Sequence, residues 1–296
     1  MASHQGLLQI AGMNTYEQLR KRLQDGGVKN AFQEARWMLQ LAERNVTDEV
    51  ELASLLEAWT CRRLAGEPFQ YVVGSVEFYN IELAVGPGVL IPRPETELLV
   101  EHALQLLVDA PQDTEVLDLC TGSGAIPLAL SHERPDLDYI GIDLSPEALK
   151  WAELNCAKLH PPHCHFLRGD LFAPLGQPHP RFHLITANPP YVSPDEYRKL
   201  PSEVKDFEPR LALEAKDDGL ALEKRIADEA RNHLLPGGWL LLEIGEMQAL
   251  RIHDCLQVLG YEEIAILKDL SGRDRIAQGQ YSLAREREPG GLRLGT

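Results

Sequence analysis

The chain has 296 residues, with 29 basic against 45 acidic side chains and a net charge of −16, and 44% of its residues are hydrophobic. That length allows one large domain or two, and the composition is that of a globular protein able to bury a sizeable core. The acidic balance excludes counterion-driven nucleic-acid binding, which needs clustered Lys and Arg. No run approaches the roughly 18 apolar residues of a membrane span. The first residues carry no basic segment followed by an apolar one, so no secretory signal is expected. Cys61, Cys120, Cys156, Cys164 and Cys255 are odd in number and form no CxxC pair. Free thiols in a cytoplasmic protein, acting as a monomer away from membranes, are the expectation.

The first seventy residues read as helices. Asn14 with Glu17 has the spacing of a capping box, and Tyr16, Leu19 and Leu23 follow at helical intervals. Further patterns run through Phe32, Ala35, Met38, Leu39 and Ala42, and through Leu52, Leu55, Leu56, Trp59 and Leu64. Each buries one stripe, so residues 1–70 are expected to form a small bundle. Tyr71–Val76 and Ile81–Val85 read as the strands of a hairpin linker over 71–91. From residue 92 strands and helices alternate. Pro94 suits a first helical position, Glu115–Leu119 is a buried strand, and a helix follows Gly124. A strand over Tyr139–Ile142 ends at Asp143, and Ser145 with Pro146 opens the next helix. Strands are expected at His165–Leu167, Phe182–Thr186, Trp239–Ile244, Glu263–Lys268 and Arg275–Leu283, and helices at Leu220–Leu235 and Met247–Leu259. Asp217 and Asp218 read as a turn and helix cap, and the tail from Arg285 as frayed. The alternation implies an α/β domain over 92–296 with a doubly wound, mostly parallel sheet and ligands at its carboxyl edge.

Asp118-Leu119-Cys120-Thr121-Gly122-Ser123-Gly124 has the order strand, tight turn, helix start. Glycines there admit a ligand to the backbone, and a helix N-terminus favours a carboxylate or phosphate. Pro127 occupies the position where a dinucleotide fingerprint wants Gly or Ala, and no GxxxxGK[ST] occurs. Asp143, at the end of the second strand, can accept from both hydroxyls of a ribose. Asp118 in a buried strand needs a partner, which an ammonium group would supply. Asp170 is placed to reach an adenine amine. A ribose, an amine and a carboxylate without pyrophosphate describe S-adenosyl-L-methionine. His160, His163, Cys164 and His165 do not converge as metal ligands, because the last of them enter a strand that alternates its faces.

Asn188-Pro189-Pro190-Tyr191 follows the fourth strand at the same sheet edge. Two prolines stiffen the turn and remove two donors. The Asn188 side-chain oxygen and the Pro189 carbonyl can then accept both hydrogens of a planar –NH2, and Tyr191 can cover its face. Holding a delocalised amine in line with a methyl sulfonium uses proximity, and accepting its hydrogens stabilises the charge that develops on nitrogen. No strong general base is required.

With Arg63–Tyr71, Leu90–Glu97, Phe207–Leu213 and Gly272–Arg275, these motifs resemble the bacterial-type peptide chain release factor glutamine-N5 methyltransferase family. The likeness spans nearly the whole chain; the tetrapeptide alone is shared with adenine-N6 and cytosine-N4 DNA methyltransferases. The resemblance implies a class I methyltransferase sheet of seven strands, the last antiparallel, joined to a small helical N-terminal domain. It implies S-adenosyl-L-methionine contacts from Cys120, Thr121, Gly122, Ser123, Gly124, Asp143, Leu171 and Asn188. It also implies that Asn188–Tyr191 hold a glutamine in the Gly-Gly-Gln loop of class 1 release factors, gripped partly by the helical domain. Arg93 is a further substrate- or cofactor-positioning residue or a structural ion pair. The family usually has Gly where this chain has Cys120, and Cys there resembles a sister branch that methylates a ribosomal-protein glutamine. A ribosomal-protein substrate is therefore the alternative; a DNA amino-methyltransferase and a non-catalytic release-factor-binding module are weaker ones.

Overall fold

Short stripes of apolar residues on successive helices can be buried only against one another, and the first part of the chain solves this with a bundle. The computed structural model describes residues 4–112, 114–176, 180–216 and 219–282; Asp217, Asp218 and the tail from Arg285 lie outside them. The helices are α1 (His4–Asp25), α2 (Ala31–Asn45), α3 (Glu49–Leu64) and α4 (Phe69–Val73). The helix begins well before Asn14, whose backbone is already helical and so cannot cap. Asp48 caps α3, its carboxylate accepting from the Val50 and Glu51 N–H groups at 3.0 Å each. Leu19, Leu23, Ala31, Ala35, Met38, Ala42, Leu56, Trp59 and Val72 form the core. Phe32 departs from the expected stripe: it is exposed and packs edge-on against Tyr16.

The strand expected over Tyr71–Val76 is a correction of the same kind. The backbone is helical from Phe69, because Val72 is drawn into the bundle core. Gly74, at φ 82°, stops the helix by donating its N–H to Gln70 O. Burial here overrides β propensity. The hairpin is displaced to β1 (Ser75–Phe78) and β2 (Ile81–Ala84).

The second compact unit carries α5 (Pro94–Leu106), β3 (Glu115–Leu119), α6 (Ala125–Glu133), β4 (Asp138–Asp143), α7 (Pro146–Leu159), β5 (Cys164–Arg168) and β6 (Phe182–Ala187). After β6 come the short helices α8 (Pro194–Tyr197) and α9 (Ser202–Lys205) and a 3-10 turn, Arg210–Ala212, none of which the sequence patterning predicts. Then follow α10 (Ala221–Ala230), β7 (Leu234–Glu243), α11 (Ala249–Leu259), β8 (Tyr261–Lys268) and β9 (Asp274–Tyr281). Ser145 caps α7 as expected, accepting from the Ala148 N–H at 3.2 Å. The helix expected over Leu220–Leu235 ends at Ala230, because β7 starts earlier, at Leu234, which is fully buried.

The seven-stranded sheet has the order β5-β4-β3-β6-β7-β9-β8. β3 pairs parallel with β4 and with β6, and β9 runs antiparallel to both of its neighbours. Each face is covered by its own core. One contains Leu117, Leu119, Ile185 and Ala187 with Ile226, Ala230, Ile252 and Leu256; the other contains Val116 and Leu184 with Leu99, Ala103, Ile126 and Leu130. Because successive side chains alternate between faces, Asp118 and Thr186 lie on the second.

By contacts, the first unit comprises Met1–Ser75 and Pro201–Phe207 and the second Val76–Leu200 and Glu208–Thr296. The division thus falls a few residues beyond residue 70, and a segment far along the chain belongs to the helical unit. Arg63 holds that segment. Its guanidinium is bidentate to Glu34 at 2.7 and 3.1 Å and donates to Glu203 at 3.2 Å. The Arg63 and Glu34 side chains are only 9% and 7% exposed, so neither charge can be stranded cheaply. Arg63→Ala should destabilise the helical unit by about 3–5 kcal/mol, whereas the Arg63→Met/Glu34→Leu pair should lose far less. Urea unfolding followed by far-UV circular dichroism checks both.

Candidate active site

In an open parallel sheet a ligand crevice forms where neighbouring connections leave in opposite directions. Here that point is the carboxyl end of β3, since the chain passes to β4 on one side and returns through β6 on the other. Leu119 is in register with Ile142 and with Ala187. The next residues, Cys120, Asp143 and Asn188, therefore emerge side by side. They line one cavity of about 930 Å³, its open mouth included.

The glycine loop forms one wall through Cys120, Thr121, Gly122 and Ser123, continuing into Ala125 and Ile126 of α6. Gly124 caps that helix at φ 78°, and a Cβ there would stand 2.8 Å from the Phe166 ring. The loop is pinned to β4: the Thr121 N–H donates to Ile142 O at 3.1 Å and the Gly122 N–H to Asp143 Oδ2 at 2.8 Å. Asp143 Oδ1 accepts from the Ser145 N–H at 2.8 Å. Each carboxylate oxygen retains a second acceptor site, which is what a pair of vicinal hydroxyls requires. Burial pushes the Asp143 carboxyl up, against the pull of these backbone donors.

Cys120 sits at φ 57°, in the left-handed region that favours glycine. Burial, with Asp143 and Asp118 nearby, raises its thiol well above the usual range, which keeps it protonated. Val89, Leu90, Pro92, Arg93 and Thr96 also line the cavity, with Leu144, Ala148 and Leu222 adding apolar surface. Pro209, Leu211 and Ala212 close another side. Arg93 and Asp143 are the only charged residues lining the cavity among the described residues. Arg93 is an ion pair with Glu208, a 4% exposed carboxylate whose other oxygen accepts from the Ile91 N–H at 3.1 Å. That carboxylate anchors the Pro209–Ala212 wall.

Asn188 contributes a polar corner. Its Nδ2 donates to Thr96 Oγ1 at 3.1 Å, the Thr96 hydroxyl donates to Glu243 Oε2 at 2.6 Å, and the Tyr191 hydroxyl donates to Glu243 Oε1 at 3.2 Å. Of the tetrapeptide, Asn188 and Pro190 line the cavity. Burial and the Glu243 charge push the Tyr191 hydroxyl up, so it remains a donor.

Besides Gly124, Pro189 and Tyr191, which adjoin lining residues in the chain, three expected residues do not line the cavity. Asp118 is 1% exposed and accepts from the Thr186 hydroxyl at 2.7 Å, on the sheet face under α5 and α6. Its Oδ2 has no hydrogen-bond partner of normal geometry among the described residues. Asp170, expected at an adenine, is bidentate to Arg225 at 2.8 and 2.9 Å. Leu171, at φ 49°, turns its side chain into the sheet core. Conversely, Thr96 and Glu243 are legible only in part. Thr96 lies in the Leu90–Glu97 stretch, and Glu243 is an acid ending an apolar run, a signal of a functional or bonded carboxylate.

The donor set fits S-adenosyl-L-methionine. Asp143 offers unshared acceptor sites for a diol, the glycine loop and α6 N-terminus face the cavity, and the remaining wall is apolar with no unpaired cation for a phosphate.

These features define a methyltransferase-type site, and residues 116–207 match the family description "Methyltransferase domain". The chain is 42% identical over 240 residues to the release factor glutamine methyltransferase of Thermodesulfovibrio yellowstonii, covering 80% of this chain and 85% of that one. It is 43% identical to that of Vibrio cholerae, covering 81% and 82%. The chain belongs to the release factor glutamine methyltransferase family. In fold it is also similar to a Thermus thermophilus 16S rRNA methyltransferase solved with AdoMet and guanosine, with TM-score 0.52, 18% identity, and 70% and 49% of the two chains covered.

Burial raises the Asp118 carboxyl to about 7 against 3.8 for the free group, with the Thr121 and Thr186 hydroxyls pulling the other way. The native state thus binds a proton that the unfolded chain has released, and stability falls as pH rises from about 4 to about 7. Asp118→Asn removes that loss. Relative to the parent it should gain up to roughly 1.4 kcal/mol per pH unit across the window, measured by urea unfolding at pH 5 and pH 8.

Proposed function

We propose that the chain transfers a methyl group from S-adenosyl-L-methionine to the side-chain amide nitrogen of the glutamine in the Gly-Gly-Gln loop of class 1 release factors. The observation that carries this reading is Asn188, whose Nδ2 is already bonded and whose Oδ1 has no protein partner among the described residues, in the same cavity as Asp143 and the glycine loop. Membership of the family supports the substrate assignment. S-adenosyl-L-methionine supplies an electrophilic methyl group on a sulfonium sulfur.

Asp143 would hold its ribose hydroxyls, and Cys120 to Gly124 its methionine end. Asn188 Oδ1 and the Pro189 carbonyl would accept the two amide hydrogens of the substrate glutamine. Those bonds draw density toward the nitrogen as it becomes cationic and orient its lone pair. Tyr191 and Pro190 would stiffen the receiving corner. After transfer the nitrogen carries one proton in excess, which leaves to water. Among the described residues lining the cavity, the Asp143 carboxylate is engaged by the Gly122 and Ser145 N–H groups, burial holds the Cys120 thiol protonated, and Arg93 is paired. The helical unit, with its Pro201–Phe207 segment, would grip the protein substrate. We further propose that the protein acts as a cytoplasmic monomer without direct nucleic-acid contact; none of the described helices is long and apolar enough to cross a membrane.

Labelled methyl incorporation into a purified class 1 release factor tests the reading. Incorporation is expected with an intact Gly-Gly-Gln loop and not with Gly-Gly-Ala; incorporation into a ribosomal protein instead would move the substrate. Division of roles is tested by calorimetry with S-adenosylhomocysteine. Asp143→Ala should weaken binding at least tenfold. Asn188→Ala should leave binding within about threefold while lowering turnover at least a hundredfold; equal loss of affinity in both variants would overturn the division.

A further inference from the structure

An asparagine amide can present either its oxygen or its –NH2 to a ligand, and the two orientations are nearly equal in shape. Only one suits acceptance of hydrogens from a glutamine amide; the reverse would set –NH2 against –NH2. Something must therefore choose.

We infer that Thr96 and Glu243 form a positioning pair that sets the orientation of the Asn188 amide, so that its oxygen rather than its nitrogen faces the acceptor. The inference rests on the glutamine-methylation reading above and adds two residues to it. Glu243, the last residue of β7, is 1% exposed and sits across from Thr96 in the first turn of α5. Its carboxylate oxygens receive two hydroxyl protons, from Thr96 at 2.6 Å and from Tyr191 at 3.2 Å. A threonine hydroxyl has one proton. With that proton committed to Glu243, Thr96 Oγ1 can offer Asn188 only lone pairs, and the group found 3.1 Å away is Nδ2. A flipped amide would place two acceptors face to face. Oδ1 is consequently the atom left for the cavity, and among the described residues it has no protein partner.

Burial pushes the Glu243 carboxyl up, while the Thr96 and Tyr191 hydroxyls that donate to it and the nearby Arg275 cation pull the other way. Arg275 lies on β9, where Ile276 is in register with Glu243, and its guanidinium is steadied by Ile244 O at 3.5 Å and Asp269 at 3.4 Å. The carboxylate matters because it accepts at both oxygens. An amide in its place could donate from its own –NH2 to Thr96, releasing the threonine proton toward Asn188 and reversing the chain.

The test uses the full-length protein and three variants, Thr96→Val, Thr96→Ser and Glu243→Gln. Thr96→Val keeps the volume and removes the acceptor. Its kcat for release-factor methylation should fall tenfold to a hundredfold, with KM and S-adenosylhomocysteine affinity within threefold of the parent. Thr96→Ser should restore kcat to within threefold, and Glu243→Gln should behave like Thr96→Val. A readout free of turnover is the side-chain –NH2 resonance pair of Asn188 in 15N-asparagine-labelled protein, assigned by its absence from N188A. The pair should be protected from solvent exchange in the parent and Thr96→Ser and fast-exchanging in Thr96→Val. A parent inactive on release factors, with the protected pair present, would fault the substrate and leave the positioning role supported. The inference is overturned if Thr96→Val retains parental kcat or –NH2 protection, if Thr96→Ser fails as badly, or if the loss appears in cofactor affinity or thermal stability instead of kcat.

Discussion

The parallel pairing of β3 with β4 on one side and β6 on the other is the constraint on which the rest of the molecule depends. Parallel strands release their chains at the same edge, so the glycine loop, Asp143 and the Asn188–Tyr191 turn must meet there. The register that sets Leu119 level with Ile142 and Ala187 fixes their spacing to within one residue. The antiparallel β9 then brings Arg275 beside Glu243, adding a charge that no parallel neighbour supplies.

Loops at such an edge carry function but little packing, and in this protein buried and half-buried carboxylates hold them. Asp143 ties the glycine loop to the start of α7. Glu208 ties the Pro209–Ala212 wall to Ile91 and Arg93. Glu243 ties α5 to the tetrapeptide. An ionised carboxylate accepts several charge-assisted bonds at once and donates none, so a few acids impose direction on whole loops. Seen this way, part of the −16 charge serves the architecture of the site. At Glu243 the Thr96 hydroxyl, its proton given to the acid, then becomes the acceptor for Asn188 Nδ2, which is how Asn188 receives its orientation.

The helical unit depends on a different arrangement. Its apolar core is small, and a buried Arg63 joins two acids drawn from distant parts of the chain. Through Glu203 the Pro201–Phe207 segment, which follows the Asn188–Tyr191 turn in the chain, is held on the bundle. The helical unit thus includes a segment that lies far along the chain, within the sequence of the α/β unit, and an ion pair as well as apolar packing holds it there.

The sequence by itself determined the α/β alternation, the place of the glycine loop, Asp143 at the end of β4 and the tetrapeptide after β6, because these depend on local periodicity, turn chemistry and caps. Ser145 with Pro146 and Pro94 mark helix starts that no tertiary contact needs to create. Tertiary structure alone decided that Tyr71–Val73 is helical rather than extended, that Phe32 faces outward, and that Asp170 is spent on Arg225. It also decided that Asp118 stays beneath the sheet while Cys120, two residues on, reaches the cavity. The same holds for the partnership of Thr96, Asn188 and Glu243, whose members are 92 and 147 residues from Thr96 in the chain. Local pattern records which face of an element is apolar. Which polar atom lies across from which is settled only when distant strands are brought into register.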